Sequence, residues 1–526
     1  MQCSGGGRDG SHCGESQALI ATMMHCTSDE SIASVDATEG SPSKQDDDSQ
    51  VCKERDYNSQ KGERVRNSGP MLPEDILYHI HSLLPLRDAA RAACVSHAFL
   101  NSWRCRPNLC LSTETLGLKG SHDKRCMDFT ITVYHILKQH SRIGLKTFQL
   151  AMYGYYSISS CHLDSWLHLA LTSGTEELVL ENTSMKYNLP LSLFSGKSGN
   201  SIRYLHLSFC TFRPTFRLGC FRSLKKLHLH NVSITGDELG RLLPDSVALE
   251  KLELAHCKEI ICLKIPHVLL RLSCLNVAVC HNLQVIKNEA PNLSSLCFER
   301  LRNLVHISLG EALHVKKLEC FKAFDFMQLP AILPNLEALT TDLIYQMASV
   351  PSVHSKFSQL KYLNISVPKE THGLVYDYLS VASFLDASPA LETFILRIHV
   401  PEFPVQHGLF SGGSSHLRQM PEHRYGKLKR AEIIYFYPTK SLLELANHVL
   451  ETATSLECLT LDTSSCCCRW RRGSNPAMCY LEAIKRYFEG KVPSTTSTAR
   501  LDVKGPCCGG LDDYTWQSFT VFGGRS

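Results

Sequence analysis

The chain has 526 residues and a mass of 58.9 kDa, and its 55 basic and 51 acidic side chains leave a formal charge of +4. So even a balance excludes, as first readings, a nucleic-acid surface built on bulk positive charge and a polybasic hold on membranes. The apolar share of 43% is ordinary for a globular chain, and the length allows about three compact units.

At the N-terminus the one apolar stretch, Ala18 to Met24, is short, interrupted by Thr22 and preceded by Glu15 instead of a basic segment, so no signal peptide is read there. No stretch approaches the ~18 apolar residues of a spanning helix. The expectation is a soluble, intracellular protein, nuclear or cytoplasmic. The 24 cysteines are diluted over the chain and many sit in strand-like apolar runs, which reads as reduced core thiols. The Asn-x-Ser sequons at Asn182, Asn231, Asn292 and Asn364 then carry no information.

Residues 1–69 hold six Leu, Ile, Val or Phe side chains among eleven serines and an Asp46-Asp47-Asp48 run, too little apolar surface to offset chain entropy. This segment is expected to be disordered. Leu72-Pro73-Glu74-Asp75 then starts a helix, with proline beside the first turn and two acids at the positive end of the helix dipole. Ile76, Leu77, Ile80, Leu83 and Leu84 form one apolar stripe before Pro85 breaks the helix. Asp88 is expected to cap a second helix, with Ala89, Ala92, Ala93 and Val95 on its inner face. Phe99 and Trp103, one turn apart, suggest a third. Three such helices make too little core to stand alone and could simply form a small cap on the rest of the chain.

Leu72-Pro73-Glu74-Asp75-Ile76-Leu77, Leu83-Leu84-Pro85-Leu86-Arg87-Asp88 and Ala92-Ala93-Cys94-Val95-Ser96 together resemble the F-box pattern through its whole length. Family members commonly place a basic residue and a tryptophan just after the Val-Ser pair, where this chain has His97-Ala98-Phe99 and delays the tryptophan to Trp103. The resemblance implies docking on the Skp-family adaptor of a cullin-RING ubiquitin ligase. The residues it would place at that contact are Leu72, Pro73, Ile76, Leu77, Ile80, Leu83, Leu84, Pro85, Leu86, Val95 and Trp103.

From about residue 145 a pattern L-x-x-L-x-L recurs, as Leu145-Phe148-Leu150, Ile202-Leu205-Leu207, Leu224-Leu227-Leu229, Leu249-Leu252-Leu254 and onwards to Leu456-Leu459-Leu461. Between positions 202 and 360 its steps are 22, 25, 23, 21, 22, 21 and 24 residues, inside the leucine-rich-repeat range. Alternate strand residues point into the stack, each unit buries its edge against the next, and a curved solenoid results. Cys210, Cys257 and Cys280 each follow the last apolar strand residue by three, where such repeats turn the backbone. The connection Thr235 to Leu243 is long enough for a short helix, while His281 to Asn292 reads as an irregular return. Outward strand positions would line a concave, target-binding surface, with Tyr204, His206, Lys226, His228, His230, Lys251 and Glu253 as its candidates.

Strand, helix over Ser441 to Thr454, and strand at Leu456 to Leu461 resemble the FBD module of plant F-box and repeat proteins, with Tyr437-Pro438-Thr439-Lys440 where that module often has Gly-Phe-x-Gly. A further helix with Leu481, Ile484 and Phe488 and a strand near Leu501 to Val503 would close the solenoid. The fold class is α/β: a three-helix module (70–112) behind the N-terminal segment (1–69), repeats (140–415), an FBD-like region (416–465) and a tail (466–526).

Catalytic constellations reduce to fragments. Gly196-Lys197-Ser198 lacks the earlier glycine of a phosphate loop, Leu191 standing there, and neither H-E-x-x-H nor G-x-S-x-G occurs. Adjacent thiols such as Cys466-Cys467-Cys468 seldom share one metal, so no metal or cofactor is expected. The leading expectation is a non-catalytic receptor subunit of a Skp-cullin-F-box ligase, which brings an unknown protein target to the ligase. A repeat scaffold without ligase linkage is the alternative, and an extracellular ectodomain or an enzyme fits less well.

Overall fold

The computed structural model describes residues 73–141, 143–152, 158–182, 187–195, 197–215, 219–301, 305–310, 314–321, 329–343, 356–368, 376–399, 418, 423–463, 483–488, 500–504 and 519–522. The N-terminal segment, Leu72, Gly196, Leu481 and the tail cysteines lie outside these residues. The chain divides into two compact units, one ending at Thr175 and one beginning at Glu176.

In the first unit the three expected helices are Glu74–Leu83, Leu86–Ala93 and His97–Arg104. Two details differ from expectation. The second helix is entered from Pro85, so Asp88 sits inside its first turn and pairs with Arg91 at 3.5 Å instead of capping it. Its buried face is Leu86, Ala89, Ala90 and Ala93, while Val95 lies beyond the helix end and is 84% exposed. Strand Asn108–Ser112 and helix His122–Gln139 follow, then strand Thr147–Met152 and helix Ser160–Thr172. The two strands pair in parallel with Leu109 beside Phe148 and Leu111 beside Leu150, and Phe129 meets Trp166 edge to face across the helices.

In the second unit every strand from Glu177–Asn182 to Arg500–Lys504 in the main sheet is parallel to the next and comes from the following repeat. The register is in phase with the leucines: Leu178, Leu205, Leu227, Leu252, Leu275, Leu296, Leu318, Leu339 and Leu363 are successive partners. All are buried, and their neighbours along each strand alternate to the outward face. The sheet ends on an antiparallel strand, Phe519–Phe522. The region after the repeats has the expected order of strand Arg430–Ile434, helix Lys440–Thr452 and strand Cys458–Asp462.

Cys210, Cys257 and Cys280 are buried, and the last two thiols donate to strand carbonyls, Cys257 to Leu229 at 3.5 Å and Cys280 to Leu254 at 3.7 Å. Helix Gly236–Leu242 is closed by a capping box of Thr235 and Glu238. Gly236 lies so close to the Cys262 carbonyl oxygen that no side chain fits there. The stretch 281–292, expected as an irregular return, instead contains strand Val285–Asn288, paired on either side with Cys262–Ile265 and His306–Ser308. Successive returns of similar length present the same edge to one another, so a second small sheet forms without a strong β signal in any single segment.

The residue leaving each of several strands has left-handed backbone without being glycine: Phe209, Asn231, His256 and Val279, with φ of 51, 51, 55 and 55°. Each N–H donates to the end of the next repeat's strand, to the carbonyls of His230, Ala255, Ala278 and Glu299 at 2.7–3.0 Å. For a β-branched side chain this conformation is strained. Val279→Asn should therefore leave stability unchanged or raise it by up to about 1 kcal/mol, because asparagine tolerates that φ. The same change at Val277, two residues earlier and fully buried, should cost about 3 kcal/mol. Urea unfolding of both variants checks the contrast, and a larger loss at Val279 than at Val277 would overturn it.

Candidate interaction surfaces

The first surface is built on the helix Glu74–Leu83. Ile76, Ile80 and Leu83 fall on one face, 42, 38 and 72% exposed, with Leu77 and Leu84 half-buried and Pro73 and Pro85 exposed. Leu86 and Trp103, expected at the same contact, are instead 7 and 5% exposed and form the core beneath it. They support the surface; they do not offer side chains to it.

What fixes that helix escaped the sequence reading. His81 is buried, donates from Nε2 to the Ala89 carbonyl at 3.0 Å, stacks on Phe99 and meets the edge of Trp103. Burial lowers its pKa, so the ring stays neutral near pH 7. Arg106, 7% exposed, donates from its guanidinium to the carbonyls of His81, Ser82 and Leu84 at 2.9, 3.3 and 2.6 Å. One buried cation thus satisfies the orphan acceptors at the helix C-terminus, where the dipole also favours positive charge. Both residues are single polar positions with no periodicity, and only the fold reveals their partners.

The second surface is the outward face of the main sheet. Across three successive strands Tyr204, Lys226 and Lys251 form one row, His206, His228 and Glu253 the next, and Ser208, His230 and Ala255 a third. The structure therefore brings all seven candidates of this face onto three adjacent strands. The imidazoles of His206 and His228 stack at 4.2 Å, and those of His230 and His256 at 5.1 Å, with Phe209 stacked on His230 at 5.6 Å. Phe209 and His256 were missed because they lie past the strand ends.

Burial and the neighbouring His228 push the pKa of His206 down to about 4. That of His228 is lowered chiefly by burial, against the pull of Glu253, and that of His230 by burial and then by His256 and His228. The rings are accordingly neutral near pH 7. Burial raises the Tyr204 pKa, helped by Glu253, Glu181 and Glu177. Burial works to raise that of Glu253 too, yet the ammonium of Lys251, 2.8 Å away, holds the carboxylate below its usual range.

Neither surface presents a nucleophile poised beside a base. Tyr425 bridges Asp386 at 2.8 Å and His448 at 2.9 Å, but its one proton goes to the carboxylate. Burial and that bond raise the phenol's pKa, so the arrangement braces the segment before Arg430–Ile434 against helix Lys440–Thr452. A cleft of about 470 Å³ between Asp237, Arg241, Lys264, Lys287 and Glu289 mixes three cations with two carboxylates. Among the described residues no group of three or more His, Cys, Asp or Glu is disposed to hold a metal ion, and no helix is long and apolar enough to cross a membrane.

Residues 136–508, about seven tenths of the chain, match the family model described as At1g61320/AtMIF1, LRR domain. Among curated relatives, the F-box/FBD/LRR-repeat protein At1g13570 of Arabidopsis thaliana is 25% identical over 194 residues, 36% of this chain and 44% of the relative. The F-box/LRR-repeat proteins At3g03360 and At5g02910 of the same plant are 24 and 27% identical, over 40 and 36% of this chain and 42 and 39% of their own lengths. The chain thus spans less than half the length of each of these three relatives. The in-phase leucine ladder, the repeat step and the extent of that match agree, and the chain belongs to the At1g61320/AtMIF1 LRR-domain family among plant F-box/LRR proteins.

Proposed function

We propose that the protein is a non-catalytic, substrate-recognition subunit of a Skp-cullin-F-box ubiquitin ligase. In this reading the F-box spans 70–112 and docks on the adaptor, the repeats of 140–415 hold a protein target, and the FBD-like region and tail complete the repeat stack. Its rate effect is proximity: a held target meets the loaded conjugating enzyme at raised local concentration. The observation that carries the reading is the exposed row Ile76, Ile80 and Leu83 on a helix whose opposite side and C-terminus are locked by His81 and Arg106. Apolar side chains left out at helical spacing on a braced helix suit a partner's groove. The F-box in the names of its relatives supports the same assignment.

The test is binding of a purified Skp-family adaptor to the full chain, compared with the variant Ile76→Glu, Ile80→Glu, Leu83→Glu. Loss of affinity by about a hundredfold or more is expected, since buried apolar anchors commonly carry 1–2 kcal/mol each. The thermal melt should barely move, because all three side chains face solvent. Equal, weak binding by both folded proteins would remove the ligase link and leave a repeat scaffold.

A further inference from the structure

The ring cluster on the outward sheet face has a composition that narrows what it can hold. Its imidazoles are neutral near pH 7 and present π faces, with His206 stacked on His228 at 4.2 Å and Tyr204 next to His206 at 6.4 Å. Carboxylates flank the stack on both sides: Glu181 lies 3.9 Å from His206 Nδ1 and Glu253 3.8 Å from His228 Nδ1. In the next repeat Asn276 occupies the position beside Glu253, and its amide nitrogen donates to that carboxylate. Asn276 Oδ1 is shielded from solvent and has no hydrogen-bond donor among the described residues.

Counting the groups that face the stack, Glu177, Glu181 and Glu253 outnumber Lys226 and Lys251, and the Lys251 ammonium is engaged by Glu253 at 2.8 Å. His230 faces His256 and Phe209, which add two further rings. Neutral rings and a modest excess of carboxylate favour a planar cation with several N–H groups. We propose that this face takes an arginine of the protein held by the repeats, its guanidinium packing against the stacked His206–His228 pair and donating to Glu253. This rests on the reading of the repeats as a target-binding surface and specifies the chemistry of the target there.

Protonation of the imidazoles would place positive charge under the guanidinium, so binding of the arginine weakens with acid. A carboxylate or phosphate partner would show the opposite sign, gaining as His206, His228 and His230 charge.

The experiment uses the full chain and three glycine-serine peptides that carry arginine, citrulline or glutamate at every third position. Affinity is read by calorimetry or fluorescence anisotropy, and the histidine ring resonances by selectively labelled NMR. The arginine peptide is expected to bind about tenfold or more tightly than the other two near pH 7.5 and to weaken towards about pH 4, where His206 charges. It should shift the resonances of His206 and His228, assigned with His206→Asn and His228→Asn. Glu253→Gln should remove most of the preference for arginine over citrulline.

Tighter binding of the glutamate peptide that strengthens with acid would overturn the proposal in favour of an anionic partner. Equal behaviour of arginine and citrulline peptides, or ring resonances unmoved by any peptide, would also overturn it. None of these results touches the adaptor assay, so failure here is distinct from failure of the receptor reading.

Discussion

Arg418→Met is expected to destabilise the repeats around helix Lys440–Thr452 by about 3–5 kcal/mol, because it strands a buried carboxylate. The Glu444 side chain on that helix has no solvent exposure, and Arg418 meets it three times: backbone N–H to Oε1 at 2.8 Å, Nε to Oε2 at 3.0 Å and Nη2 to Oε2 at 2.7 Å. The same guanidinium reaches Asp377 at 2.6 and 3.1 Å, and these bonds to Asp377 and Glu444 raise the arginine's pKa, so it stays charged throughout. A lone Glu444→Leu change removes the buried charge together with its need for a partner and should cost less than Arg418→Met. The double variant should then recover most of the loss, which is the signature of coupling between neighbours. Hydrogen exchange of the helix amides is the readout, since a chain of two units need not unfold in one step. A loss under about 1 kcal/mol for Arg418→Met would show that water reaches Glu444 after all.

Arg106→Met is expected to have an effect of similar size in the first unit, about 3 kcal/mol or more. Three carbonyls at the end of helix Glu74–Leu83 lose a charged donor at once, and Nε also gives up the Asn108 carbonyl at 3.2 Å. The exposed row Ile76, Ile80 and Leu83 is untouched chemically, so, on the proposed receptor role, any fall in adaptor affinity would come from the helix no longer being held. Arg106→Lys separates charge from geometry: one ammonium cannot stand in for Nε, Nη1 and Nη2 at the Asn108, His81 and Leu84 carbonyls together, and it should rescue less than half of the loss. Full rescue by lysine would mean that the helix dipole alone accounts for the stabilisation.

The repeats were legible because their signal is additive. Leucines at fixed spacing over many units fix the strand register, and from Leu205 to Leu363 the structure pairs the residues that the pattern aligned. The seven candidate side chains of the outward face came with them, since alternation along a strand is a consequence of backbone geometry. Helix His122–Gln139 was overlooked, although Phe129, Val133, Ile136 and Leu137 mark its buried face at helical steps, because it lies between two stronger patterns, the F-box and the first repeat. Strand Val285–Asn288 carries too short a pattern to read in isolation, and it forms because its neighbours in adjacent repeats do.

Single polar residues were the true blind spot. Asp88 looked like a cap, yet Pro85 sets the helix entry. His81, Arg106, Arg418 and Glu444 take their importance from partners 8, 22 to 25 and 26 residues away. No local window holds both halves of such a pair.

The left-handed residue at several strand exits gives the stack a direction. Phe209, Asn231, His256 and Val279 pass their N–H forward to the next repeat, whereas strand entries such as Tyr204, Lys226 and Lys251 draw on carbonyls of the repeat before. During synthesis a repeat emerging from the ribosome can complete its entry at once, but its exit waits until the following repeat has been made. A nascent chain halted after the Lys251–Ala255 strand would therefore hold one unsettled turn, at His256, while the turns at Phe209 and Asn231 are already closed.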